Sequence, residues 1–166
     1  MTVEVRIARI DEHEAAIAVW AAADTARRHE PPPAEVPDTL RQRFARDDVW
    51  LLVAVDDGQV VGVTQGWPAR EDNGAGAAVP GRSHLSLVFV DPRRWGEGIG
   101  GLLVDAALEH ARELGHDTVQ LFTHQDNDRA RALYTSRGFT HDGVVQSDAW
   151  GNLLGRWSRA LDPPQP

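Results

Sequence analysis

The stretch LSLVFVDPRRWGEGIGGLL, Leu85 to Leu103, decides the fold. It passes from an apolar strand through a turn containing Pro92, then sets Gly96, Gly98, Gly100 and Gly101 at the mouth of a helical pattern. A helix N-terminus exposes unpaired N–H groups and the positive end of the macrodipole, and glycine lets a ligand approach the backbone closely. The segment therefore predicts an anion site, a pyrophosphate above all. Glycines that only permit a tight strand-to-helix turn are the plain alternative, and such a turn needs fewer of them. Gly96, Gly98 and Gly101 also satisfy the dinucleotide spacing G-x-G-x-x-G. Against that reading, Asp91 to Trp95 separate strand from glycine, the unit lies mid-chain, and 166 residues leave no room for a substrate domain.

Outward from this segment the pattern alternates strands and helices. Val3, Val5 and Ile7 alternate with polar neighbours as in a half-buried strand, Asp11 stands at an expected N-cap, and a helix follows over Glu12 to Arg28. Pro31 to Pro33 stop that helix, and a short second one is expected over Thr39 to Arg46. Trp50 to Val55 and Gln59 to Trp67 form a hairpin about Asp56, Asp57 and Gly58. Arg70 to Arg82 reads as a loop, His84 to Val90 as the fourth strand, and Glu97 to Leu114 as a helix closed by Gly115. Thr118 to Thr123 is the fifth strand, Asp126 to Arg137 a helix stopped by Gly138, and Phe139 to Gln146 with Asn152 to Leu161 a terminal hairpin. This order predicts an α/β (α+β) chain: a mixed, mainly antiparallel sheet of about seven strands flanked by helices, with one parallel crossover near residues 84 to 123. One domain over residues 1–161 and a tail over 162–166 are expected.

Composition narrows the chemistry. All 17 basic residues are Arg, so a P-loop lysine and Schiff-base catalysis are excluded, and the absence of Cys removes thiolate nucleophiles and Cys-zinc sites. A net charge of −8 argues against a nucleic-acid partner and suits a cationic small molecule. The N-terminus lacks the pattern of a secretory signal, and no stretch approaches a membrane span, so no membrane partner and a cytoplasmic location are expected. His124, Asp126 and Asp128 have no companion spacing for a metal, and none is expected.

A second segment, NDRARALYTSRGF, places Asn127, Ala130, Tyr134, Gly138 and Phe139 in the spacing N-x-x-A-x-x-x-Y-x-x-x-G-F. Together with V-x-P-x-x-x-G-x-G-x-G (Val90, Pro92, Gly96, Gly98, Gly100), it resembles the GNAT-superfamily N-acetyltransferases, which move an acyl group from acyl-CoA to an amine. The resemblance is strongest over residues 84–139, and the order of elements extends it along the chain. It departs from the family at Trp95, where Arg or Gln usually precedes the first glycine; Arg93 and Arg94 either supply that charge or are simply solvated.

The resemblance implies a sheet splayed at strands 4 and 5, with acetyl-CoA as co-substrate and no metal. Val88, Phe89 and Val90 would lie along the pantetheine arm, with the Val88 N–H polarising the thioester carbonyl and Val90 pairing with pantetheine amides. Trp95, Gly96, Glu97, Gly98, Ile99, Gly100 and Gly101 would hold the pyrophosphate, and Asn127, Arg129, Ala130 and Tyr134 the rest of the co-substrate. Tyr134, the sole Tyr of the chain, would protonate the leaving thiolate, unless it is there for packing. Asn127 reads equally as a helix N-cap. His84 is the expected proton acceptor for the amine, with Asp148, Glu30 or a water chain as the others. Glu30, Glu35, Trp67, Asp148 and Trp150 would border the acceptor pocket, while Trp20, Trp50 and Trp157 read as core. The acceptor would be a primary amine, on a small molecule or a peptide, attacking directly in a ternary complex; a homodimer is allowed. The rival class is a non-catalytic acyl-CoA-binding module of the same fold.

Overall fold

The computed structural model of the chain describes residues 2–148 and 151–162, the side chain of residue 73 excepted. The expectation placed on Trp150, like most of the tail, lies outside the described residues. Seven strands hydrogen-bond in the order β1-β2-β3-β4-β5-β7-β6. They are β1 (Glu4–Ile7), β2 (Trp50–Asp56), β3 (Gln59–Arg70), β4 (Ala78–Val90), β5 (Thr118–His124), β6 (Thr140–Ser147) and β7 (Leu153–Ala160). The helices are α1 (His13–Arg28), α2 (Val36–Phe44), α3 (Ile99–Glu113) and α4 (Asp128–Ser136). β4 and β5 pair in parallel, as a strand-helix-strand crossover demands, whereas β1–β2, β2–β3, β5–β7 and β6–β7 are antiparallel.

The chain divides into two compact units. Met1–Trp67 with Leu87–Ala107 form one, built around β2. Ile17 and Trp20 of α1 and Leu40 and Phe44 of α2 pack on Leu51, Val53 and Val63, with Leu87 and Phe89 of β4 against the same cluster. Ala54 and Val61 face the other way, onto Ile99 and Leu103 of α3, with Val88 and Val90 alongside. Alternation along β2 and the end of β4, with a register shift at Val61 of β3, thus feeds two apolar layers, and each fully buried Val or Leu contributes roughly 1.5–3 kcal/mol. Gly66, opposite Trp50, is required by crowding: a Cβ there would stand 2.0 Å from the Trp50 ring.

The second unit is Pro68–Ser86 with Leu108–Pro166. Here Arg82, Ser83 and His84 pair with Thr118, Val119 and Gln120, and all of β5 pairs with β7. Val119, Leu121, Phe139 and Leu161 are buried within it.

Four local expectations are corrected. The segment over residues 70–82 is not a long loop: β3 runs to Arg70, β4 begins at Ala78, and Glu71 closes the connection by donating its N–H to the Ala77 carbonyl and accepting from Gly76. Asp11 does not cap α1; a short 3-10 turn over Ile10–Glu12 intervenes, and the Glu12 carboxylate accepts from the Arg9 N–H at 2.8 Å and from Arg6 at 2.7 Å. α2 starts at Val36, because Pro37 fits the first turn of a helix. Trp20 and Trp50 are core as expected, but Trp157 is half-buried and, with Gln125, Arg131 and His141, lines a shallow cleft.

Candidate functional site

β4 ends in the turn that the sequence singled out. Asp91 anchors it: its carboxylate accepts from the Arg93 N–H at 3.0 Å and from the Arg93 guanidinium at 2.6 Å, which holds the carboxyl below its ordinary range. Arg94 Nη2 reaches Asp56 at 2.8 Å and Arg94 Nε reaches Glu97 at 2.7 Å. Both arginines are ion-paired to neighbouring carboxylates. Two guanidinium groups face three carboxylates at this turn, so attraction for an anion must come from the backbone. That backbone is suited to it. Gly96 and Gly98 adopt φ of +87° and +82°, and nothing stands within 4 Å of where a Cβ would project. α3 follows directly at Ile99, and its first N–H groups lack partners within the helix. Gly98, just before it, has no side chain to cap them. An open cradle above a helix N-terminus fits the pyrophosphate of a coenzyme A.

Trp95, the departure from the family pattern, has a defined place. Its indole Nε1–H donates to the Val90 carbonyl at 2.8 Å, tying the turn back to the strand end. One acceptor position of Val90 is therefore used within the protein. Ahead of it, Leu87 adopts φ of +59°, an unusual conformation for a leucine within a strand. The parallel ladder of β4 with β5 ends at His84, while β4 itself runs on to Val90. The Val88 and Val90 side chains pack toward α3 and that of Phe89 toward α1 and α2, so what these residues can offer a ligand is main chain.

In the second unit, Asn127 is the N-cap of α4, its Oδ1 accepting from the Ala130 N–H at 3.2 Å. Tyr134 lies about two helical turns further on, 7% exposed, its ring 5.8 Å from Phe139 and edge-on to it. Burial pushes its phenol well above the ordinary range, so it stays protonated at every working pH. Arg129 sits in the first turn of the same helix.

His84 and Gln120 face each other across the parallel ladder. Arg82 can only donate, and its Nη1 does so to Gln120 Oε1 at 3.1 Å, so Gln120 Nε2 faces His84 Nδ1 at 3.3 Å. Neutral His84 then carries its proton on Nε2, and accepting a proton at Nδ1 requires Gln120 to give way. Sequence reading missed a second histidine with a defined partner. His124 Nε2 lies 3.1 Å from Asp148 Oδ2, and Asn152 fixes that carboxylate through its backbone N–H and side-chain amide. No spacing signals a pair 24 positions apart. Among the described residues no three His, Asp or Glu side chains gather as a metal site.

Of the other acceptor residues, Glu30 is exposed and paired with Arg28 at 2.7 Å, and Glu35 immediately precedes α2. Trp67 is half-buried near the end of β3 with the Arg43 guanidinium 5.3 Å from its ring centroid. Arg43 is a further residue that the sequence reading did not single out.

Comparison with known proteins bears on the family and the fold. Over 115 residues the chain is 34% identical to the mycothiol acetyltransferase of Propionibacterium freudenreichii subsp. shermanii, an alignment covering 67% of this chain and 34% of that protein. The chain thus spans about a third of the length of that relative. Among solved structures it is similar to the ribosomal-protein-alanine N-acetyltransferase of Brucella melitensis, with a TM-score of 0.74 and 26% identity over 95% of this chain and 99% of that one. It also shares its fold with the PaiA N-acetyltransferase of Thermoplasma acidophilum, determined in complex with coenzyme A, with a TM-score of 0.68 and 16% identity over 94% and 98% of the two chains. The family model for the GNAT acetyltransferases, whose co-substrate is acetyl-CoA, matches residues 11–139, and the chain belongs to that family.

Proposed function

We propose that the chain transfers an acetyl group from acetyl-CoA to a primary amine, by direct attack while both substrates are bound. The observation that carries this reading is the turn after β4, where Gly96 and Gly98 at positive φ leave an open cradle before the uncapped start of α3. Bound there, acetyl-CoA supplies an activated thioester. The main chain of Gly96 to Gly101, with Trp95 and Glu97 framing it, holds the pyrophosphate. Val88, Phe89 and Val90 offer peptide groups to the pantetheine arm, and the Val88 N–H stabilises negative charge on the carbonyl oxygen. Asn127, Arg129 and Ala130 supply further contacts from α4.

Tyr134 donates its proton to the departing sulfur, a role supported by its place on α4, at the position of the Asn-to-Tyr spacing that the family resemblance assigns to this acid. His84 accepts the amine proton at Nδ1, displacing the Gln120 amide. A second reading assigns that role to His124, because Asp148 fixes its Nε2–H and leaves Nδ1 as the basic atom. Glu30, Glu35, Trp67, Asp148 and Trp150 border the acceptor, which is a small molecule or a peptide end. On this reading the activity belongs to one domain and to the cytoplasm. Among the described residues no helix is long and apolar enough to cross a membrane.

The test is thiol release from acetyl-CoA with a panel of primary amines, beside calorimetry with coenzyme A. Binding with amine-dependent release supports the transferase. Binding without release from any amine favours a non-catalytic acyl-CoA module, and absence of binding overturns both. With a productive amine in hand, His84→Ala and His124→Ala identify the base, since only the true acceptor takes the acidic limb of the kcat/KM profile with it.

A further inference from the structure

The face of β3 that meets α1 and α2 carries polar groups that its apolar surroundings do not satisfy. Val63 on that face belongs to the core beneath the two helices. Gln65, the next residue on the face, is 0% exposed, and neither its Nε2 nor its Oε1 has a hydrogen-bond partner. Trp67 follows, two residues along, and Arg43 of α2 lies over its ring.

Arg43 differs from the arginines beside it on and just after α2. Arg41 is held by Glu14 at 2.6 Å and by Asp38 at 2.6 Å, and Arg46 by Asp48 at 2.7 Å. The guanidinium of Arg43 has no hydrogen bond or ion pair among the described residues, although it is half-buried. Desolvation, reinforced by the like charge of Arg46, draws its pKa down from the ordinary value, the sign of a cation lacking its counter-charge. A guanidinium carries five N–H donors in a planar fork, and lying over an indole ring does not itself satisfy them. The ligand that matches such a fork is a carboxylate, taken through two parallel hydrogen bonds.

We propose that Arg43, lying over the Trp67 ring, is the subsite for a carboxylate carried by the acceptor, so that the acceptor class is amines that also bear a carboxylate, amino acids being the simplest. This rests on the transferase reading, which it deepens by naming the substrate class. The unsatisfied Gln65 amide is a second polar group on the same face. The acidic surface of the protein suits the ammonium end of such a molecule, and Arg43 suits the other end.

The experiment uses the full chain with coenzyme A bound and matched ligand pairs, each amino acid beside its carboxamide. Calorimetry measures affinity without requiring turnover, and thiol release from acetyl-CoA measures kcat and KM. The acid of each pair should bind at least tenfold more tightly than its amide and show the lower KM. Arg43→Gln should abolish that preference. Arg43→Lys, which keeps the charge but loses the planar fork, should retain part of it. Thermal melting shows that each variant is folded; if Arg43→Gln fails to fold, Arg43→Lys and the wild-type pairs still decide. Equal affinities for acid and amide in the wild type, or a preference that survives Arg43→Gln, overturn the proposal. Preferential binding without thiol release from any amine counts against the transferase reading and leaves the carboxylate subsite standing.

Discussion

Two strand-to-helix connections in this chain solve the same problem differently. Between β4 and α3 the path runs through Asp91 to Gly98, with two glycines at positive φ and no side chain at the position before the helix. Between β5 and α4 it runs through Gln125 to Asn127, and Asn127 closes the helix by accepting from the Ala130 N–H. A helix start whose own side chain satisfies it has less to offer an anion, whereas one preceded by glycine keeps its N–H groups and dipole for a ligand. The arginines sharpen the contrast. Arg93 and Arg94 look like anion ligands in the sequence, yet both are spent on carboxylates that shape the loop. The first connection acts through main chain and the second through side chains, Asn127 as cap and Tyr134 as the chemical candidate.

The largest effect that would break this comparison is at Gly98. Gly98→Asp puts a strained φ and a negative charge into the open cradle, and affinity for coenzyme A should fall by more than roughly 100-fold. Unchanged affinity in a folded variant, read by calorimetry, would remove the anion site from this turn; NADH should not bind to the wild type.

Tyr134→Phe comes next. It should lower kcat by roughly 100-fold while acetyl-CoA affinity stays within a few fold, the usual scale for loss of a general acid. Steady-state kinetics with unchanged kcat would return Tyr134 to packing against Phe139.

At Asp91 the expected loss is in stability. Asp91→Asn weakens the bonds that pin the turn and should cost about 1–2 kcal/mol at pH 7 in urea unfolding. Because the native carboxyl titrates below its ordinary value, 3.8, the stabilisation is fully present above that pH and fades as pH falls further through the native value. The difference between variant and wild type should narrow in that direction, and a gap independent of pH would show that the charge is not what holds the turn.

The smallest effect belongs to the other connection. Asn127→Ala should cost about 1 kcal/mol of stability as a lost N-cap. A loss of coenzyme A affinity larger than this, measured on the folded variant, would show that Asn127 also meets the co-substrate.

Much of the fold was legible because it is written in short-range patterns. Glycines at fixed spacing, the proline triplet after α1 and the Asn-to-Tyr spacing of α4 each constrain a few neighbouring backbone angles. The start of β4 was not legible, since Gly81 and Pro80 argue against a strand. What makes Ala78–Ser83 extended is pairing with distant residues, Arg82 with Thr118 among them. Side-chain partnerships resisted for the same reason. Arg94 finds Asp56 at 38 positions' remove, and neither Arg43 over Trp67 nor His124 with Asp148 follows any local period. The proposed co-substrate residues stand in sequence motifs, whereas the proposed acceptor residues are scattered along the chain and follow no local spacing.

The left-handed backbone of Leu87 ties remote residues to the edge of β4. A leucine holds that conformation at a cost of about 1–2 kcal/mol, and here its side chain is gripped by the cluster containing Trp20, Phe44 and Val63. Glycine would relax the angle but let go of the cluster, so the two demands on position 87 oppose each other. The direction in which the Val88 amide points is accordingly inherited from packing beneath α1 and α2. Side chains such as Phe44, buried in that cluster, become silent determinants of where the proposed oxyanion donor is aimed.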